Sequence, residues 1–253
     1  MLISGVIITY NEARNIERCI DSLQGVADEI VVLDAYSTDT TPEVCRQKGV
    51  RLYQHAFDSY GKQKNRANRL ANYPWILSLD ADEALSPQLR ASLLEQRARL
   101  NDYDAYAFNR LTCYCGHWIR HCGWYPDRKV RLFRRDIAEW STSPVHERLL
   151  LPAHAKVGFL RGELHHYSYY SIEEHYERAR RYAYLGAQAL QEVGRKAHPW
   201  TPLLRATLKW LRNYIFLRGF LDGWAGWHIC RISALETYWK YHMLRQALKR
   251  NLR

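Results

Sequence analysis

Apolar and polar positions change their period along the chain, and the first hundred residues switch repeatedly between two patterns. Short apolar runs at 6–9, 29–34, 51–53 and 75–80 predict strands. Helical spacings lie between them. Ile16, Cys19, Ile20 and Leu23 share one face of a predicted helix over 15–23, and a second helix over 40–48 stops at Gly49. A basic helix is predicted over 61–71, and Pro87 opens another that runs to about residue 100. This alternation predicts an α/β fold with a parallel sheet covered by helices on both faces. Ligands of such sheets sit beyond the carboxyl ends of the strands.

Residues 104–170 have a different texture, rich in aromatics, with short β-like runs at 106–111, 129–133 and 163–167. They read as a mixed extension of the sheet. From Ser171 the pattern turns helical and stays so to the end, broken near 198–202 by His-Pro-Trp-Thr-Pro. The expected organisation is therefore a sheet domain over 1–170 and a helical region over 171–253. The apolar fraction of 47% is ample for a core, and no run of 18 uncharged apolar residues predicts a membrane span. The opening Met-Leu-Ile-Ser-Gly-Val-Ile-Ile-Thr lacks a basic leader and a cleavage site, so it reads as a first strand. Six scattered cysteines in a chain too large to need staples suggest a reducing cytoplasm.

Charge changes the picture of the tail. The net charge is +11, and residues 195–253 hold twelve Lys/Arg against Asp222 and Glu236, a net of +10. Five of the nine tryptophans also fall there: Trp200, Trp210, Trp224, Trp227 and Trp239. Interleaved basic and aromatic residues suit a surface where anionic headgroups meet hydrocarbon. They would also suit nucleic acid, or a plain helical subdomain with a solvated basic face. The reading taken is an anionic membrane surface and no nucleic acid.

The candidate chemistry begins at Ile76-Leu-Ser-Leu-Asp-Ala-Asp-Glu83, an apolar run that ends in three carboxylates. Alternation along an extended chain points Asp80 and Asp82 the same way, and paired carboxylates at a strand end suit Mg²⁺ or Mn²⁺. By itself the run also reads as a strand followed by an acidic turn, with Glu83 near a helix start. Two more acidic sites fall at predicted strand ends, Thr9-Tyr-Asn-Glu12 and Asp34-Ala-Tyr-Ser-Thr-Asp-Thr-Thr41. A doubly wound topology brings these ends to one rim, where carboxylates can accept from ribose hydroxyls or base N–H groups. Asp39 suits a helix cap instead.

These three motifs together resemble the signatures of glycosyltransferase family 2, on the GT-A fold. The resemblance extends to its lipopolysaccharide-core branch, the WaaE-type β-glucosyltransferases, through Gly123-Trp-Tyr-Pro-Asp127, Arg131-Leu-Phe-Arg134, Val145-His-Glu147 and Gly219-Phe-Leu-Asp-Gly223. It covers essentially the whole chain, so 1–170 would be the catalytic domain and 171–253 a basic, aromatic helical extension. The resemblance implies inverting transfer from a nucleotide sugar. Thr9, Tyr10, Asn11 and Glu12, with Asp34, match positions that hold base and ribose. Asp80, Ala81 and Asp82 match the donor-phosphate and metal site, with Mg²⁺ or Mn²⁺ as cofactor.

The implied reaction assigns further roles. Lys64, Arg66 or Arg131 would add to stabilisation of the leaving diphosphate. A carboxylate must take the acceptor's proton, and Glu147 and Asp127 both fit. Glu147 is preferred because the family arrangement sets it at a loop-to-helix junction. Asp127 also reads as a turn acid after Pro126, and Glu147 as an ordinary ion-pair partner. His166 could serve the metal. Cys113-x-Cys115-x-His117 with His121-Cys122 fits no standard structural zinc spacing. The expected donor is UDP-glucose or another UDP-hexose, and the expected acceptor is a lipid-linked saccharide, the lipopolysaccharide inner core. The enzyme would be cytoplasmic and peripheral on the inner face of a bacterial inner membrane. A polyprenyl-linked acceptor is the rival within the class. A nucleotidyltransferase lacks its Gly-rich, basic first loop here, and a non-catalytic membrane-binding module leaves the acids unexplained.

Overall fold

A computed structural model of the chain describes residues 1–142 and 147–250. In chain order the elements are β1 (Ile3–Thr9), α1 (Ile16–Leu23), β2 (Glu29–Asp34), α2 (Thr41–Gln47), β3 (Arg51–Gln54), α3 (Tyr60–Arg69) and β4 (Trp75–Asp80). There follow β5 (Glu83–Leu85), α4 (Pro87–Gln96), β6 (Ala105–Tyr114), β7 (His117–Ile119), β8 (Asp127–Arg134), β9 (Glu139–Trp140), β10 (Leu149–Leu150) and β11 (Val157–Tyr169). Three long helices complete the chain: α5 (Ile172–Glu192), α6 (Thr201–Leu211) and α7 (Gly223–Arg250). Two compact units result, one made of 1–110 with 127–167, the other of 111–126 with 168–253.

The first unit is built on a sheet of order β3-β2-β1-β4-β8-β6-β11-β5. Strands β1 to β4 are parallel, and the near-continuous apolar sequences of β1, β2 and β4 follow from burial on both faces, whereas the edge strand β3 is half-exposed. The chain leaves β1 toward β3 and returns to β4 on the other side of β1, so the strand order reverses there. Such a reversal opens a crevice at the carboxyl ends of the two strands. Register sets Thr9 beside Asp34, and Ile8 beside Asp80. One face packs Ile7, Leu77 and Leu79 against Ile16, Ile20 and Leu23 of α1, and the other packs Val6, Leu33 and Ile76 with Ala67 of α3. Helix α3 is capped by Ser59, whose hydroxyl accepts the Lys62 N–H. It also lies close to the segment after β9. A Cβ on Gly61 would collide with the Ser141 carbonyl, so glycine there permits the approach.

One expectation changes, and one alternative reading is excluded. The helix from Pro87 ends at Gln96 and continues as a 3₁₀ turn, because Arg99 leaves helical geometry at φ −113° and ψ 18°. Glu83 does not start a helix. It opens β5, which pairs antiparallel with β11 so that His166 faces Glu83.

In the second unit, β7 pairs with the end of β6, and Tyr114, Ile119 and Cys122 pack with Ala225, Ile229 and Cys230 of α7. The tail breaks twice. The first break, at 193–200, includes the His-Pro segment. The second, at 212–222, is a π-type turn then a 3₁₀ turn, separated by Arg218 in the left-handed region at φ 54°. No helix among the described residues is long and apolar enough to cross a membrane.

Candidate active site

Beyond the carboxyl ends of β1 and β4 lies a cleft of about 560 Å³. Thr9, Tyr10, Glu12, Asp80, Ala81, Asp82 and His166 line it, so seven of the residues expected at the site come together in the first unit. The loop after β1 is fastened to the loop after β2. Asn11, at φ 52°, donates its N–H to Ser37 Oγ at 2.8 Å and accepts the Thr38 N–H at 2.8 Å. Glu12 donates its N–H to Thr41 Oγ1 at 2.9 Å, and its carboxylate accepts from Asn15 Nδ2 at 2.7 Å. Asp39 accepts the N–H groups of Ala13 and Thr41. These clips use backbone donors, the groups a loop must satisfy if it is to hold one shape.

Asp34 is fully buried. Its carboxylate accepts from the Ser37 N–H and hydroxyl and from Gln54 Nε2 at 2.9 Å. It shapes the wall of the cleft, while its neighbour Ala35 lines it. Asn11, Arg66 and Asp127 are not among the residues lining this cleft or the pocket beside it. Arg66 lies near Asp58 at 3.7 Å and donates to Gln63. Phe57, Tyr60 and Gln63 also line the cleft and were not anticipated. The two rings meet edge to face with centroids 5.0 Å apart and are exposed. A planar base would cover such surfaces. The available signal was a pair of aromatics flanking the cap of a basic helix.

Asp80 is the shared edge of two cavities. It lines the cleft and also a second pocket of about 660 Å³, together with Lys64, Arg131 and Glu147. Its oxygens are divided between two cations, Lys64 Nζ at 2.9 Å and Arg131 Nη2 at 2.7 Å. Burial alone would raise the Asp80 carboxyl, but Arg131 and Lys64 outweigh it and hold it far below the usual carboxylate range. Arg131 is pushed upward, its burial outweighed by Asp80 and Glu83. The buried Glu83 carboxylate accepts the Asp80 N–H at 3.0 Å and pairs with Arg131 at 2.9 Å and Arg110 at 3.2 Å. Arg110 continues to Asp127 at 2.8 Å, which also meets Lys129 at 3.0 Å. Acids and bases thus alternate from Asp127 through Arg110, Glu83, Arg131, Asp80 and Lys64 to Glu147.

Glu147 meets Lys64 at 3.1 Å. It does not stand at a loop-to-helix junction. The two-residue strand β10 follows it, and Ser141 and Arg148 are joined by hydrogen bonds of 2.8 and 2.9 Å beside it. Val145 and His146 of the Val-His-Glu motif lie outside the described residues.

Asp82 meets His166 Nε2 at 3.2 Å, brought there by the β5–β11 register. No three His, Cys, Asp or Glu side chains converge on a metal position among the described residues. The Asp82 carboxylate and the His166 imidazole are donors of the kind that would hold a Mn²⁺ ion. Mg²⁺, with its preference for oxygen ligands, fits the pair less well.

Several relatives align with most of this chain. An uncharacterized glycosyltransferase of Rickettsia felis is 29% identical across 97% of this chain and 90% of its own length. The lipopolysaccharide core biosynthesis glycosyltransferase LpsC of Rhizobium meliloti is 27% identical across 94% of this chain and 93% of its own. Among solved structures, residues 1–349 of TarS from S. aureus with UDP align over 99% of this chain and 92% of that one, at 15% identity and a TM-score of 0.45. The profile of Glycosyl transferase family 2 matches residues 4–145, over half of the chain. With those residues forming the parallel strands and both acidic rims of the cleft, the chain belongs to glycosyltransferase family 2 and has its GT-A fold.

Proposed function

We propose that this glycosyltransferase is an inverting, metal-dependent enzyme that moves a hexose, glucose in the first instance, from a UDP-sugar to a lipid-linked saccharide of the lipopolysaccharide inner core. The observation that carries the reading is the position of Asp80 between two cavities. One offers aromatic and carboxylate surfaces for a nucleotide, and the other contains Glu147. A single displacement needs the attacking hydroxyl opposite the leaving diphosphate, so an acceptor in the second cavity would invert the anomeric carbon.

In this reading Phe57 and Tyr60 cover the base, and Glu12 accepts from the nucleoside. Asp82 and His166 would hold the cation, with Asp80 at its edge. The bound ion would supply electrostatic neutralisation of the leaving diphosphate. Lys64 and Arg131 contribute fixed positive charge beside Asp80 without further reorganisation. Glu147 receives the proton of the acceptor hydroxyl, and Lys64, 3.1 Å away, holds its carboxylate in place. Asp127, engaged by Arg110 and Lys129, serves the charge network. The lipopolysaccharide acceptor is supported by the relative LpsC, and work at the cytoplasmic face of the inner membrane by the exposed aromatic and basic tail.

The test is a panel of nucleotide sugars with and without Mn²⁺, read by UDP release and by NMR of the anomeric proton of the product. UDP-glucose with Mn²⁺ should give the fastest release and an inverted product. Absence of UDP release from every donor, or a retained configuration, would overturn the assignment.

A further inference from the structure

The pocket that holds Glu147 carries more positive charge than its acids can balance. Six of its lining residues are cationic: Lys64, Arg110, Arg128, Lys129, Arg131 and Arg148. Four of them are committed to carboxylates. Lys64 serves Asp80 and Glu147, Arg131 serves Asp80 and Glu83, Arg110 serves Glu83 and Asp127, and Lys129 serves Asp127. Four acids therefore meet four bases.

Arg128 and Arg148 are left over. Both are exposed, and among the described residues neither forms an ion pair with a carboxylate. Both are nonetheless held. The Arg128 guanidinium lies 4.6 Å over the centre of the Phe159 ring, and β8 fixes its backbone opposite Asn109. The Arg148 backbone is tied to Ser141 on both its N–H and its carbonyl.

We infer that this pocket binds an acceptor carrying an oxyanion, a carboxylate or a phosphate monoester, close to the hydroxyl that is glycosylated. The guanidinium fork matches both groups with two parallel N–H···O bonds, and the surplus of two charges would be halved by a carboxylate and nearly cancelled by a phosphate monoester. Binding an anion here also has a consequence for the neighbouring acid. The acceptor's charge is met by Arg128 and Arg148, so Lys64 stays with Asp80 and Glu147. A neutral sugar seated there would cover two guanidiniums without pairing them, which adds to the discrimination. The inference rests on the proposed transferase reading for the identity of the occupant, but the anion site itself does not.

The experiment has two arms. In the first, inorganic phosphate and acetate are titrated by calorimetry into full-length protein saturated with UDP and Mn²⁺, so that the donor cleft is filled. In the second, transfer from UDP-glucose is compared for one methyl hexoside, its phosphate monoester and the corresponding uronic acid. The same measurements are made on Arg128→Gln/Arg148→Gln, with melting temperature and UDP affinity as checks that the variant is folded. The expected result is anion binding in the wild type that weakens about 10-fold or more in the variant, with kcat/KM for an acidic acceptor about 10-fold above the neutral one and that preference lost in the variant. Whichever acid is preferred identifies the group. Equal transfer to neutral and acidic acceptors, or anion binding undiminished in the variant, overturns the inference. Variant-sensitive phosphate binding without transfer to any sugar would uphold the anion site and count against the transferase reading.

Discussion

Lys64 Nζ lies 3.1 Å from Glu147 Oε1, and the same nitrogen lies 2.9 Å from Asp80 Oδ1. One buried ammonium therefore joins the acid at the end of β4 to the acid that closes the second pocket, 67 positions apart in the sequence. The ammonium stem is covered as well, with Nζ 4.5 Å from the centre of the Trp140 ring. Removing it would leave two carboxylates facing each other with no shared counter-ion.

Lys64→Gln is accordingly expected to weaken both stability and transfer. Loss of one partner from a buried ion pair costs about 3–5 kcal/mol, and the partial exposure of Asp80 and Glu147 brings the expectation to about 2 kcal/mol. The midpoint of urea unfolding should fall, and transfer should drop by about 10²-fold. An unchanged midpoint would mean that water replaces the ammonium without cost.

Glu147→Gln keeps the shape and the contact to Lys64 but removes the proton acceptor. Transfer should fall by about 10²–10⁴-fold while UDP affinity is kept. Asp127→Asn should behave differently, because Asp127 lies at the far end of the charge chain between Arg110 and Lys129. Its effect should be about 1 kcal/mol on stability and less than about 10-fold on rate. Reversal of the two phenotypes would give Asp127 the base's role.

The parallel half of the fold was legible in the sequence for a physical reason. Strands buried on both faces must be apolar throughout, and Ile3–Thr9, Glu29–Asp34 and Trp75–Asp80 carry that signal without help from distant residues. Strand β5 was not legible. Three residues beginning with glutamate have no period, and their pairing partner lies about 80 residues later in β11. Glu83 is buried because Arg110 and Arg131 arrive from β6 and β8 to neutralise it, a relationship no local pattern contains. The carboxylates of the cleft were readable as types at strand ends. The aromatic wall of Phe57 and Tyr60 was not, since exposed rings before a helix look like ordinary surface. The second break in the tail was missed because 212–222 is apolar enough to continue a helix, and only Arg218 adopts the left-handed turn that ends it.

The His166–Asp82 contact predicts how the cation should be felt. Asp82→Asn and His166→Ala should each weaken Mn²⁺-dependent UDP binding by about 10–100-fold while leaving UDP binding in EDTA nearly as in the wild type. Calorimetric titration of UDP with and without Mn²⁺ separates the two. If EDTA leaves wild-type affinity untouched, the pair is a plain hydrogen bond.

His175 gives the second unit an acid limit. It is buried among Tyr114, Trp124 and Tyr169, with Nδ1 3.1 Å from the Tyr114 hydroxyl. Burial, with Arg178 adding to it, lowers its pKa to about 4. An imidazole whose folded pKa lies below its unfolded value of about 6.5 contributes stability above pH 6.5 and loses it as the pH falls toward 4. The loss approaches about 3 kcal/mol. The melting temperature should therefore drop over that range, and His175→Phe should flatten the drop. An equally steep profile in the variant would place the acid sensitivity elsewhere.

The last expectation concerns the exposed apolar surface of the tail. Leu203 and Leu208 on α6, Ile215 and Phe216 in the π-type turn, Phe220 and Leu221 in the 3₁₀ turn, and Trp224 and Trp227 on α7 all face solvent, Phe216 at 78% and Leu203 at 67% exposure. Exposed Arg205, Arg212 and Arg218 are interspersed among them. Apolar residues in such numbers normally mark an interaction surface, and cations interleaved with aromatics fit the headgroup level of an anionic bilayer. Each basic residue there contributes about 1 kcal/mol, so binding should require anionic lipid and weaken as salt rises. Phe216→Ser/Phe220→Ser/Leu221→Ser changes side chains that are about half or more in water, Phe220 touching Tyr214 at 6.2 Å between ring centres, so the melting temperature should change by only a few degrees. Co-sedimentation with phosphatidylglycerol vesicles should fall about 10-fold or more, whereas neutral phosphatidylcholine vesicles should bind neither protein. Equal sedimentation of wild type and triple variant would remove this surface from the membrane assignment. A change in sedimentation velocity without lipid would assign it to a second copy of the chain instead.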